Sequence, residues 1–343
     1  MRKQFIIIFS LGCLGMLSAG TPTEFTFGFT GGYDSNVLRF SADEFGIAAL
    51  DPDLMGEAPT FDSFVYKLGS SFKKTLYQVG QKEFLTSGSF NWSDYRNNRE
   101  RKYWSGGLDA VFKWGSYQNL KYSVRHLDSF YLRHYIDQDV TISDLVASAF
   151  SDRRQSITLT QRLGRRTWGS ITGGFLQRYY DRPFTEFDLD IHYLRGKFNK
   201  RIPNFGTVSC QLEWGTAENR SFQQTAKASV FDRSYETVEW FIPLKMNRHL
   251  PFFSEVGVSI RQETRLYAAE SADDPLHSGR SHQDRKFDFW VTKKLADELE
   301  LSITTRYRTR VTDSGYEWVQ DLKSFQLLQL WCKLEWDLFY DRY

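Results

Sequence analysis

Apolar and polar residues alternate with a period of two along most of this chain. In its last such segment the even positions from Leu328 to Tyr340 are almost all apolar, whereas most odd positions from Gln329 to Asp341 are polar. Such alternation places one set of side chains on each face of a β-strand. Several segments keep the pattern for about 9–11 residues or more, which suits a tilted bilayer crossing rather than the usual globular strand of about 5–6 residues. The pattern therefore predicts membrane-crossing strands.

Read in order, the alternation predicts fourteen strands. They cover residues 23–32, 61–77, 82–95, 102–114, 119–132, 154–164, 167–180, 186–198, 205–215, 234–246, 252–267, 284–295, 298–311 and 324–341. Connections after even-numbered strands are short and those after odd-numbered strands are mostly longer, which is typical of outer-membrane barrels. We predict an all-β fold, a single transmembrane antiparallel up-and-down β-barrel of about fourteen strands, over residues 21–343.

Residues 1–20 have the order of a secretory signal peptide: Arg2 and Lys3, an apolar stretch from Phe5 to Leu17, then small residues. The stretch is too short for a helical membrane span. We expect cleavage near Ala19 or Gly20 and export to the bacterial outer membrane. A lipoprotein signal at Cys13 is the weaker alternative, because little apolar sequence precedes that cysteine.

Charge and cysteine content narrow the function classes. Lys and Arg number 44 and Asp and Glu 42, and the balance becomes even without Arg2 and Lys3, so no nucleic-acid partner is expected. Cys210 and Cys332 lie on the apolar faces of distant predicted strands, which disfavours a disulfide. No stretch of about twenty residues after the signal lacks charges, which excludes helical membrane spans. Outer-membrane lipid is therefore an expected partner of the strands.

Two short segments resemble known barrel features. The segment Gly32 to Arg39, with its Gly-Tyr-Asp-Ser-Asn opening, resembles the barrel domain of surface lipoprotein assembly modifiers. That resemblance implies a barrel and a role in protein export, although the helical-repeat domain of those proteins has no counterpart after the signal. By composition Tyr33 to Asn36 predict a turn, because Asp, Ser and Asn side chains bond to the neighbouring backbone. The segment Trp336 to Tyr343 is similar to the aromatic-ended last strand that barrel-insertion machinery recognises.

Charged residues on the polar strand faces are the candidate functional residues, because they would line the lumen and tune a water-filled pore. The candidates are Lys67, Lys113, Arg125, Arg162, Asp188, Asp190, Glu239, Arg261, Glu263, Arg306, Arg308, Arg310, Glu335 and Asp337. The three arginines form a ladder on strand thirteen, and we expect Glu335 and Asp337 on strand fourteen to pair with them. The alternative is that these charges neutralise one another and only hold the wall.

Dedicated catalysis is not expected, since none of the six histidines belongs to a recognisable catalytic, metal or phosphate motif, and no cofactor is predicted. The acidic residues 43–57 offer oxygen ligands for calcium but lack EF-hand spacing. The leading hypothesis is a porin-like conduit for small polar solutes. The alternatives are a non-conducting barrel that assists surface export or assembly through a periplasmic or surface protein partner, and, more remotely, an outer-membrane hydrolase.

Overall fold

The computed structural model describes residues 21–137, 144–221, 231–247, 250–271 and 273–340. The predicted signal peptide, His249 and residues 341–343 of the predicted insertion signal lie outside them. The strands are β1 Thr23–Asp34, β2 Ser63–Val79, β3 Lys82–Tyr95, β4 Tyr103–Gly115, β5 Gln118–Ile136, β6 Leu145–Gly164, β7 Thr167–Tyr180, β8 Leu189–Ile202, β9 Gly206–Asn219, β10 Tyr235–Met246, β11 Glu255–Tyr267, β12 Ser281–Ala296, β13 Leu299–Asp313 and β14 Phe325–Tyr340. Among the described residues, three α-helices, α1 Ala42–Ala48, α2 Pro52–Met55 and α3 Glu317–Lys323, and one 3-10 helix, Thr185–Phe187, lie in the connections.

The strands form one closed antiparallel barrel in chain order. Each strand pairs with its sequence neighbours, and β1 also pairs with β14, with Thr23 opposite Tyr340 and Asp34 opposite Gln329. Closure leaves no unpaired sheet edge. A structure that spans a membrane requires this, because lipid offers no hydrogen-bond partners to backbone groups. The predicted fourteen-stranded up-and-down barrel is confirmed.

Several strands extend further toward the long connections than the sequence pattern indicates. β5 ends at Ile136 instead of residue 132, and β6 begins at Leu145 instead of residue 154. Part of the predicted long connection is thus a hairpin that continues beyond the bilayer-crossing length. We call this end of the barrel the long-loop rim and the opposite end the short-turn rim. In an outer-membrane barrel they face the cell exterior and the periplasm, respectively.

The outer surface of the barrel is apolar. Large side chains such as Phe29, Leu212, Phe289 and Leu334 are exposed on one face of their strands. A closed barrel with this apolar exterior is the architecture of an outer-membrane protein. Cys210 and Cys332 are also exposed, each as a free cysteine. Among the described residues, no helix is long and apolar enough to cross a membrane.

Strand β8 corrects one predicted face. Sequence alternation assigns Leu189, Ile191 and Tyr193 to the lipid side, but Leu189 is buried against Ala217 and Tyr235, with Ile191 packed on the same cluster. The neighbouring His192 ring instead lies 4.7 Å from Phe175 on the outer face. The inward positions here are apolar because they pack on side chains of β9 and β10, so apolar character alone assigned the wrong face.

Candidate functional site

The connection from β1 to β2, residues 35–62, folds into the long-loop rim, and we call it the inward loop. Its first turn is held by Asn36, whose side-chain amide donates to Phe40 O (2.8 Å) and Gln326 O (3.2 Å) while its oxygen accepts from Phe40 N (2.9 Å). Leu328 N donates to Ser35 Oγ at 2.8 Å. The turn lies further along than the predicted Tyr33 to Asn36, because Tyr33 and Asp34 still belong to β1 and Arg39 N donates to Asn36 O at 3.3 Å. The bonds of Ser35 and Asn36 fasten the loop to β14.

Helix α1 fixes the middle of the inward loop to the wall. Ser41 and Glu44 form a reciprocal capping box at its start. The second oxygen of Glu44 accepts from Arg133 of β5 at 2.8 Å, and both side chains are largely buried. Gly56 ends α2 with a φ of 55°, and a Cβ there would lie 2.3 Å from the His134 ring. The loop therefore approaches β5 as closely as a glycine allows.

The inward loop has an apolar core of its own inside the barrel mouth. Loop residues Val37, Leu38, Phe40, Ala48, Met55 and Ala58 are buried together with Val65, Tyr95 and Tyr131 from β2, β3 and β5. Phe45 and Phe61 pack edge to face with ring centroids 4.6 Å apart. Burial of this many apolar groups holds the loop across the lumen.

A cluster of charged side chains lies on the wall facing the inward loop, and we call it the Asp284 cluster. Its wall members are Arg261, Lys286, Asp284, Arg308 and Arg310, and Arg39 of the inward loop completes it. Asp284 accepts from both Arg308 (2.5 Å) and Arg310 (2.9 Å) and is almost fully buried. In register, Lys286 lies between Arg261 of β11 and Arg308 of β13. These three cations form a row across neighbouring strands.

Positive charge exceeds negative charge in this region. Glu239 is 3.6 Å from Arg261, and Glu263 pairs with Arg265, so each carboxylate already has a cation. Neither Lys286 nor Arg39 forms an ion pair with any described carboxylate. Burial, followed by the neighbouring guanidinium groups of Arg308 and Arg101, holds the pKa of Arg39 well below its ordinary value. A partly hydrated anion would relieve this crowding of like charges.

The other predicted lumen residues are distributed along the barrel. Lys67 lies over the Trp331 ring at 3.9 Å, Lys113 pairs with Glu83 at 3.0 Å, and Arg125 pairs with Asp109 at 2.8 Å. Arg162 lies at the short-turn rim and donates to Gly164 O at 3.1 Å. They do not form one site with the Asp284 cluster.

Three predictions about the carboxylates need correction. Asp190 shares the outward face of β8 with Leu194 and Phe198 and pairs with Arg220 at 3.1 Å. Asp188 precedes β8, at the long-loop rim, where it accepts from Tyr180 N at 2.7 Å.

The third correction concerns the arginine ladder. Arg306 pairs with Asp288 at 2.7 Å, and Arg308 and Arg310 pair with Asp284, so the partners of all three lie on β12 rather than β14. Glu335 lies opposite Glu300 and pairs with Lys333 at 2.7 Å, while Asp337 accepts from Thr26 Oγ1 at 2.6 Å. The register places both nearer the short-turn rim than the ladder.

A cavity of about 280 Å³ with both polar and apolar lining residues lies inside the wall formed by β3 to β7. Its lining includes Ser89, Asn91, Arg125, Asp152 and Arg154. Hydroxyl, amide and charged groups of this kind are suited to a hydrated solute or to water. The lumen therefore presents polar groups in at least this part of the barrel.

Sequence reasoning missed several residues of this region. Asp284 lies on the same face of β12 as Lys286 and Asp288. The predicted strand began at residue 284, so Asp284 was placed at a strand end and not among the lumen candidates. Arg39 and Glu44 belong to a loop that had no assigned structure. The spacing of Ser41 and Glu44 is a capping-box signature and could have indicated α1.

Lys323, at the end of α3, gives a prediction for pH. Burial, and then the positive charges of Arg133 and Arg280, lower the pKa of Lys323 to about 7. Since the unfolded chain binds this proton up to a higher pH, folding becomes more favourable as pH rises from about 7 toward the ordinary lysine pKa of about 10.4. We expect α3 to exchange its amide hydrogens more slowly, after correction for the intrinsic rate, at pH 9 than at pH 6.

The Lys323→Met variant is the control for that measurement. It removes the titrating group while keeping an unbranched side chain, so the pH dependence of protection in α3 should disappear. An equal pH dependence in both proteins would assign the effect to another group.

Metal and hydrolase chemistry gain no support from the described residues. No group of three or more His, Cys, Asp or Glu among them is placed to hold a metal ion. His277 bonds Asp274 at 2.8 Å, and His282 bonds Tyr267 and Thr312. In the described part of the chain, neither ring is hydrogen-bonded to a serine hydroxyl.

Comparison with known proteins finds only low similarity to solved outer-membrane proteins. No family model matches the chain, and no curated protein matches it. OccK1 (OpdK) of Pseudomonas aeruginosa aligns with a TM-score of 0.41 and 11% identity over 93% of this chain and 99% of that one. OccAB4 of Acinetobacter baumannii gives 0.44 and 8% over 93% and 99%. A loop-deletion mutant of the Vibrio cholerae outer-membrane protein OmpT gives 0.45 and 7% over 94% and 100%. Similarity at this level says nothing about the solute or partner of this chain. No resemblance to surface lipoprotein assembly modifiers is shown by these comparisons.

Proposed function

We propose that this protein is an outer-membrane channel for small polar solutes, narrowed by the inward loop and selective for anions. The observation that carries the proposal is the surplus of cations in the Asp284 cluster, where Arg39 of the loop faces the wall. Charged groups that line a narrow aqueous passage favour ions of opposite sign. Arg39 and Lys286 contribute most, because no described carboxylate neutralises either of them.

The test is the reversal potential of single channels across a salt gradient. The double variant Arg39→Gln/Lys286→Gln removes two cations without leaving a buried carboxylate unpaired, so anion preference should fall. The shift should be smaller at 1 M salt, where the screening length is about 3 Å, than at physiological salt, where it is about 8 Å.

Lys74→Gln is the matched control, since Lys74 lies outside the Asp284 cluster, on the same face of β2 as the exposed Leu68 and Phe72. It should leave the reversal potential unchanged. A folded double variant with the reversal potential of the parent protein would end the selectivity proposal.

The apolar core of the inward loop favours a second candidate, a barrel closed at rest that assists surface export or assembly of a partner protein. A loop that packs like a small protein core is more firmly seated than a passive constriction requires. Silence of the purified protein in planar bilayers, with conductance only after the loop is removed, would favour this candidate.

A further inference from the structure

An apolar groove of about 460 Å³ lies on the outer surface of the barrel, across β6 to β9. Its apolar lining is Leu159, Leu163, Ile171, Phe198, Cys210 and Leu212. Gly169 and Gly196 form part of its floor, and a Cβ built on Gly196 would meet nothing within 4 Å. Because these two glycines have no side chain beyond a hydrogen atom, they leave a depression in a surface that otherwise presents large apolar groups to lipid.

Basic residues surround the end of this groove at the short-turn rim. Lys200 follows Phe198 on the same face of β8, and Arg165 and Arg166 form the turn after Leu163. Arg201 N donates to Arg166 O at 2.9 Å, which holds the two segments together. Arg165, Arg166 and Lys200 are exposed residues, and none of the three forms an ion pair with any described residue. The groove therefore leads from apolar surface to a group of unneutralised cations.

We propose that this groove and its basic end form a binding site for an anionic glycerophospholipid of the inner leaflet. The groove would hold an acyl chain, and Arg165, Arg166 and Lys200 would contact the phosphate headgroup. Two independent features support this occupant: a depression on the lipid-facing surface and a cationic group at the headgroup level beside it. The inference holds whether or not the barrel conducts, since the site lies outside the lumen.

The test is native mass spectrometry of the full protein in detergent, titrated with phosphatidylglycerol or with phosphatidylcholine. The parent protein should retain phosphatidylglycerol preferentially. Arg166→Gln/Lys200→Gln should weaken its retention by about fivefold for each charge removed. Gly196→Leu should also weaken it, because the new side chain fills the groove.

The matched control is Lys293→Gln/Lys294→Gln, which removes two exposed cations from the same rim where Lys294 lies opposite Glu300. It should retain phosphatidylglycerol like the parent protein. Heat-dependent migration on gels checks that every variant folds.

Three results would overturn the proposal. One is equal loss of lipid in the Lys293/Lys294 control, which would indicate diffuse attraction to the whole rim. Another is full retention by folded Gly196→Leu, which would show that the groove takes no part. The third is retention of an acidic polypeptide but no phosphatidylglycerol, which would assign the basic rim to a protein partner.

Discussion

Replacing residues 36–61 by an Asn-Gly turn is expected to raise single-channel conductance several-fold. Asp34 and Ser63 are direct register partners, so Ser35 and Asp62 can continue the β1–β2 hairpin into a two-residue turn without moving either strand. The replacement removes α1, α2 and the apolar core that occupies the barrel mouth. Planar-bilayer recording of the two purified proteins measures the change.

Point variants within the inward loop separate packing from loop length. Phe45→Ser removes a ring that lies 4.6 Å from Phe61, so it should increase current fluctuations by loosening the loop. Leu50→Ser is its control, because Leu50 is 87% exposed in the same loop. Conductance that stays unchanged when residues 36–61 are replaced would show that the loop does not narrow the conducting path.

The number and order of strands were predictable because a lipid-facing surface imposes a strict period of two over many residues. β14 is the clearest example, with Leu328, Leu330 and Leu334 exposed on one face. The rule fails where the inside is also apolar, as at Leu189 and Ile191, since alternation no longer distinguishes lipid from packed protein. Strand ends that lie beyond the bilayer face no lipid, so their side chains need not alternate and the sequence does not show where these strands end.

The pairing of charges was not predictable, because it depends on register. A shift of one residue changes every cross-strand neighbour. Arg306 lies opposite Asp288 on one side and Gln329 on the other, so the acidic partner comes from β12. Sequence alone gives the face of Arg306 but cannot choose between the two adjacent strands.

The inward loop escaped prediction for a different reason. Short helices such as α1, with seven residues, and α2, with four, are marginal alone and are stabilised by what they pack against. Arg133, which binds Glu44, is 89 positions away in the chain. The loop's position therefore depends on contacts across the closed barrel, and these exist only once the barrel has formed.

Leu334→Arg is expected to prevent efficient insertion into vesicles. Leu334 lies between Phe29 of β1 and Leu301 of β13, on the outward face and near the middle of both β1 and β14. An arginine at the bilayer midplane costs about 2–4 kcal/mol in such barrels. Leu301→Arg, at the register partner, should act in the same direction. Folded fractions are measured by heat-dependent migration on gels after dilution from urea into vesicles.

Ser302→Arg is the matched control, because Ser302 adjoins Leu301 in the chain but points to the opposite face, where its hydroxyl hydrogen-bonds Thr292 at 3.0 Å. Its guanidinium can reach water in the lumen, so insertion should be reduced much less than by Leu301→Arg. Equal insertion of Leu301→Arg and Ser302→Arg would mean that the two faces of β13 meet similar surroundings. The lipid-facing assignment of this wall, and with it the placement of Arg306 and Arg308 in the lumen, would then be wrong.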